Sequence, residues 1–133
     1  MLRRAMADRE PISTDAAPEA IGPYSQAIRS GGFLFCSGQV PLDPSSGELV
    51  KLDVDGQTRR CLENLAAVCD AAGASLADAV RLTVYMTDLG AFADVNEVYG
   101  SFFEVDPPAR VAIGVAALPK GARVEIDLVL ALD

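Results

Sequence analysis

The most regular alternation in the chain lies near its end. Val124, Ile126, Leu128, Leu130 and Leu132 fall on one side, and Arg123, Glu125, Asp127, Val129 and Ala131 on the other. A period of two is the pattern of a strand with one buried face. Asp78 to Thr87 repeats it, with Val80, Leu82, Val84 and Met86 set against Arg81, Thr83, Tyr85 and Thr87. Helical spacing governs two other stretches. Leu62, Leu65, Ala66, Cys69 and Ala72 form one stripe, opened near Asp53, a good N-cap, and closed at Gly73. Phe92, Val95, Asn96, Tyr99, Phe102 and Phe103 form a second, capped by Asp88 and ended by Pro107 and Pro108. Earlier, "QAIRSGGFLFCSG" predicts two strands joined at Ser30-Gly31-Gly32, and "EPIST" a short edge strand. "VPLDPSSGELV" is loop, broken by Pro41, Pro44 and Gly47. Arg110 to Ala117 predicts a strand that meets Arg123 to Ala131 across "LPKGA" as a hairpin.

The order is ββ-α-β followed by α-ββ. Two units of similar shape predict an α+β domain: a single sheet with both helices on one face. The other face is then bare. On the last strand it begins polar, at Arg123, Glu125 and Asp127, and continues apolar, at Val129 and Ala131. A partly apolar bare face on a small domain asks for a partner, and a second copy of the chain is the simplest one.

Composition narrows the function. The 133 residues fit one domain and half of them are hydrophobic. Residues 1–16 read as a flexible tail, in which Met6 is an alternative start, and residues 17–133 as the domain. No apolar run approaches the ~20 residues of a membrane span. The formal net charge is -8, with Lys51 and Lys120 as the only lysines. No basic stripe is present for nucleic acid. Cys36, Cys61 and Cys69 are an odd, scattered set and read as reduced core thiols of a cytoplasmic protein. Histidine is absent. That removes the usual general base, the Ser-His and Cys-His nucleophile pairs and the commonest zinc ligand. No metal ligand set and no Gly-rich phosphate loop stand out, so no cofactor is expected.

Few residues are left to carry chemistry. Arg110 opens its strand beside small residues on the same face, Ala112, Gly114 and Ala116. A guanidinium over such a recess suits a carboxylate, bound through two parallel hydrogen bonds. A salt bridge to an acidic neighbour is the alternative. Glu125 lies off the apolar side of its strand and either polarises a water or pairs with Arg123 or Arg110. Tyr24 follows Gly22-Pro23 and offers a phenol or simply a ring for packing. Ser37-Gly38 ends a strand, where glycine permits either a close approach or a turn. Asn96 is the one amide in its helix stripe and needs a partner, most simply a nearby loop.

Taken together, "APEAIGPYSQAI", "FCSGQVPLDPSSGEL", "NLAAVCDAAGASLADAVRLTVYMTDL", "FADVNEVYGSFF" and "PPARVAIGVAALPKGARVEIDL" resemble the RidA (YjgF) family from about Ala17 to Ala131. The resemblance implies a chorismate-mutase-like α+β fold and a homotrimer with clefts between subunits. It implies hydrolytic deamination of 2-iminobutanoate and 2-iminopropanoate, reactive products of pyridoxal-phosphate enzymes, as a form of metabolite damage control. On matching positions, Arg110 is the substrate-carboxylate arginine and Glu125 the water-orienting glutamate. Tyr24, Ser37, Gly38 and Asn96 match other cleft positions. Ala112 stands where archetypal members often carry cysteine, so only its backbone N–H is available there. The alternatives are a non-catalytic trimeric binder of small carboxylic acids and a chaperone-like interaction role. RNA cleavage, also linked to the family, is disfavoured by the negative charge and the missing histidines.

Overall fold

The computed structural model describes residues 8–133. The tail expected over residues 1–16 thus falls partly outside the described residues. Within it, Glu10–Ile12 forms β1, the short edge strand expected from "EPIST". Ala27–Ser30 (β2) and Phe33–Gln39 (β3) are the two strands joined at the Gly31-Gly32 turn. Both glycines have positive φ, 59° and 82°, which side chains resist. Val54–Ala71 (α1), Ala79–Met86 (β4), Phe92–Phe102 (α2), Ala109–Gly114 (β5) and Val124–Ala131 (β6) complete the chain.

α1 begins and ends where its stripe predicts. The Asp53 carboxylate accepts the Gly56 N–H, and Gly73, at φ 75°, follows the helix with its N–H bonded to Asp70 O. Asp88 caps something smaller than expected. Its carboxylate accepts the Gly90 N–H of a single 3-10 turn, Leu89–Ala91, and α2 starts directly after.

One six-stranded sheet runs β1-β2-β3-β6-β4-β5. β6 is antiparallel to both β3 and β4, and β5 is parallel to β4. The hairpin expected across "LPKGA" is therefore not formed. β4 lies between β5 and β6, and the Pro119–Gly121 turn links strands that do not pair. The turn composition is a local signal; strand partners are chosen by which apolar faces can be buried together.

The alternation on β6 is borne out. Val124, Ile126, Leu128 and Leu130 are buried against Leu34 of β3, Leu82, Val84 and Met86 of β4, and Leu62, Leu65, Val68 and Cys69 of α1. At ~25 cal/mol per Å² of apolar area, this layer supplies most of the drive to fold. One parity fails. Val80 is exposed, because the ladder shifts register between Ala79 and Arg81. Such an irregularity turns every side chain before it to the other face. All three cysteines are free and buried, as expected of core thiols. Burial pushes the Cys61 thiol well up. Across the sheet from the helices, Phe33, Phe35, Val111 and Ile113 are left exposed.

Candidate active site

Register decides which predicted residues can meet. Glu125 is paired with Tyr85, and Tyr85 with Ile113, so these three share one face of the sheet. Ile113 is exposed, so this is the bare face. Arg110 is paired with Leu82, and Leu82 with Leu128. Both leucines are buried under the helices, so Arg110 projects to the helix face. Arg110 and Glu125 of one chain lie on opposite sides of the sheet. The ion pair between them that the sequence left open is not formed.

Arg110 is held by α2. Its Nη1 donates to Asn96 Oδ1 at 2.6 Å. Its guanidinium carbon lies 5.1 Å from the ring centre of Phe92 and 4.9 Å from that of Tyr99. Cation–π contacts of this kind contribute ~0.5–1 kcal/mol each at exposed sites. Among the described residues no carboxylate pairs with Arg110; the two ion pairs are Arg29 with Glu10 and Arg60 with Glu63. Asn96 thus bonds a side chain, not the nearby loop expected. Ala112, half-buried, packs at the edge of the core on the same row of β5.

The other predicted residues gather near Glu125. A cavity of about 530 Å³ is lined by Tyr24, Ser37, Gly38, Lys120 and Glu125, with Glu19 and Gln26 among the rest. Ser37 and Gly38 lie in an irregular stretch of β3, where pairing to β6 breaks between Cys36 and Gln39. A Cβ on Gly38 would overlap the Glu125 carboxylate where it lies, so the glycine serves a close approach of that side chain, not a turn. The Ser37 hydroxyl donates to Ser25 O at 2.6 Å, and the Ser37 N–H to Gln26 O. Gln26 is buried; it accepts the Thr14 N–H and donates to Pro18 O, tying the loop before Tyr24 to the sheet. Tyr24 is exposed, and its phenol oxygen accepts the Ile21 N–H at 3.3 Å. Burial, and then the charge of Asp127, push the Glu125 carboxyl above the usual range.

The seven predicted residues therefore form two groups on one chain: Arg110, Asn96 and Ala112 on the helix side, and Tyr24, Ser37, Gly38 and Glu125 around the cavity. Residues 14–132 match the family model described as Endoribonuclease L-PSP. The chain belongs to the YjgF/RidA family. A RutC family protein of Pyrococcus horikoshii is 51% identical, over 91% of this chain and 96% of its own length. The 2-iminobutanoate/2-iminopropanoate deaminase of Mus musculus is 47% identical, over 91% and 90%. The crystal structure of RidA from the Antarctic bacterium Psychrobacter matches with a TM-score of 0.89 at 45% identity, over 92% of this chain and 99% of that one. The mixed sheet with two helices is thus the RidA fold, and the family includes imine deaminases.

Sequence reading missed the aromatic cradle of Arg110. Phe92 and Tyr99 were visible as part of the α2 stripe, where they read as core alone. It also missed Lys120, which bridges two loops by donating to Gly47 O at 3.0 Å.

Proposed function

We propose that this protein hydrolyses 2-imino acids, among them 2-iminobutanoate and 2-iminopropanoate, to 2-oxo acids and ammonia. The observation that carries the reading is Arg110, a guanidinium fixed by Asn96 and two rings with no carboxylate partner among the described residues. A substrate carboxylate would complete it by two parallel hydrogen bonds. The Ala112 backbone N–H, beside it on β5, is the second candidate donor.

The reaction needs little more than orientation. Glu125 holds a water and takes one of its protons while the oxygen adds to the imine carbon. With the imine nitrogen protonated at the outset, this gives a neutral carbinolamine. Glu125 returns its proton to the nitrogen, the hydroxyl proton passes to solvent as the C=O forms, and the C–N bond breaks to release ammonia. Tyr24 offers a hydrogen bond to the water or the departing nitrogen, and Ser37 and Gly38 line the approach. The uncatalysed reaction is fast, so a few kcal/mol of help is enough.

Arg110 and Glu125 act on one substrate only if they come from two chains. The reading is therefore of a homotrimer in which the bare sheet faces associate and each cleft takes Arg110, Asn96 and Ala112 from one subunit and Tyr24, Ser37, Gly38 and Glu125 from the next. The exposed Phe33, Phe35, Val111 and Ile113 support such an association. RNA cleavage is disfavoured by the charge of -8 and by the lack of histidine.

The test generates the imine in situ with an amino-acid oxidase or threonine dehydratase and follows 2-oxo acid release, with semicarbazide as competing trap. The purified protein should restore release in the presence of the trap. No acceleration would leave a non-catalytic carboxylate binder as the better description.

A further inference from the structure

Glu125 shares its face with a second acid. Asp127 follows two residues along β6, on the same side and about 7 Å away by strand geometry. Tyr85 lies directly across from Glu125 in the ladder with β4. Its phenol does not turn to Glu125. It donates to Asp127 Oδ2 at 2.9 Å. The bond to Asp127, then burial, hold the Tyr85 hydroxyl above its ordinary range, so it keeps its proton and remains a donor.

The other groups around Glu125 do not offset this. Arg123 precedes it on the same side of β6 by parity but is exposed. Lys120 lines the cavity with its ammonium engaged by Gly47 O. Glu19 and Tyr24 line the cavity too and bring no basic group to it. On the helix side, the buried thiol of Cys61 in α1 is kept protonated by burial and then by its proximity to Glu125.

We propose that Asp127 and Tyr85 are positioning residues for Glu125, the phenol holding the Asp127 carboxylate on the same face of β6 beside it. The inference rests on the reading of Glu125 as the water-holding carboxylate. An ordinary carboxylate is a weak base toward water, and general-base efficiency rises with basicity so long as the group stays ionised. A like charge along the strand raises that basicity. Burial first, and then this charge, set the lower pH limit of activity, since a protonated Glu125 accepts nothing.

The test compares wild type, Asp127→Asn and Tyr85→Phe by the pH profile of kcat/KM and by carboxyl NMR titration of Glu125. Both substitutions keep shape at half-buried positions. In Asp127→Asn the acid limb should move to lower pH, the Glu125 titration should move with it, and the plateau should fall. In Tyr85→Phe, where Asp127 loses the donor that holds it beside Glu125, both should also move to lower pH, by less than in Asp127→Asn. A limb and a titration unmoved in Asp127→Asn would overturn the proposal, and an unmoved Tyr85→Phe would remove the phenol from it. Failure of the functional reading is seen separately: wild type would then hydrolyse no imine, while the NMR titration would still decide whether Asp127 acts on Glu125.

Discussion

Arg110 and Glu125 belong to one sheet and are held in opposite ways. Arg110 sits on β5, the edge strand, in a row whose other members, Leu82 and Leu128, are fully buried. On a central strand an arginine in that row would be driven into the core. At the edge it leans over α2, stacks on Phe92 and Tyr99 and bonds Asn96, so its own chain stabilises it. Glu125 sits on β6, in the middle of the sheet, on the face with no cover. It is placed by a missing side chain, at Gly38, and is disfavoured as an anion by burial and Asp127. One charge is satisfied within the chain and presented outward. The other is left under strain beside a cavity. That asymmetry would suit the two halves of the inter-subunit cleft proposed above.

The strongest way to break this comparison is complementation. Arg110→Ala and Glu125→Gln should each lower kcat/KM for imine hydrolysis by about 100-fold or more, because each removes a group that orients a reactant. If the halves come from different subunits, co-refolding equal amounts of the two inactive proteins should restore roughly a quarter of the sites, since that share of interfaces in randomly mixed cyclic trimers pairs the intact arginine with the intact glutamate. Co-refolded material no more active than its parents would mean that both residues serve the same chain, and the comparison would fail.

A smaller effect sharpens the Glu125 side alone. Gly38→Ala places a methyl where the carboxylate lies. The side chain has to swing away, and a displacement of this size costs on the order of tenfold in kcat/KM. Circular dichroism should be unchanged, because the substitution falls in a stretch of β3 already out of ladder register. Unchanged activity would show that the glutamate need not stand where Gly38 allows it.

Much of this was legible in the sequence, and the failures share a cause. Helix limits were readable because caps are local: Asp53 and Gly73 act on backbone within four residues of themselves. The buried side of β6 was readable because parity along a strand is local too. Strand order was not. "LPKGA" has the composition of a hairpin turn, yet β4 takes the place beside β6, a choice made by partners dozens of residues away. Parity failed at Val80 for the same reason, since the irregularity there belongs to the pair of strands. The site residues were named from resemblance and their chemistry was visible. Their division between two faces was not, because it depends on the register that joins Arg110 to Leu82 and Glu125 to Tyr85.

The smallest effect is the most discriminating for Glu125. Its carboxyl is raised in the folded chain, first by burial and then by Asp127. Unfolded, it titrates near the ordinary glutamate value of about 4.3. The folded state therefore binds this proton more readily. Its contribution to stability is fully present below the unfolded value and is lost as pH rises through the folded one. At neutral pH the ionised side chain works against folding, and Glu125→Gln removes that penalty. The residue is about half exposed, so solvent screening holds the gain below about 1 kcal/mol. Urea unfolding at fixed protein concentration should find the glutamine variant slightly more stable than wild type at pH 7–8, and the two should converge below about pH 4. Arg110→Ala should do the reverse at neutral pH, losing the bond to Asn96 and the two ring contacts for roughly 1 kcal/mol of destabilisation. If Glu125 were instead one partner of a structural ion pair, its replacement would destabilise the protein at pH 7 and the curves would separate as pH rose in the opposite sense. A substitution that abolishes hydrolysis while leaving the fold firmer is the behaviour of a carboxylate kept for chemistry.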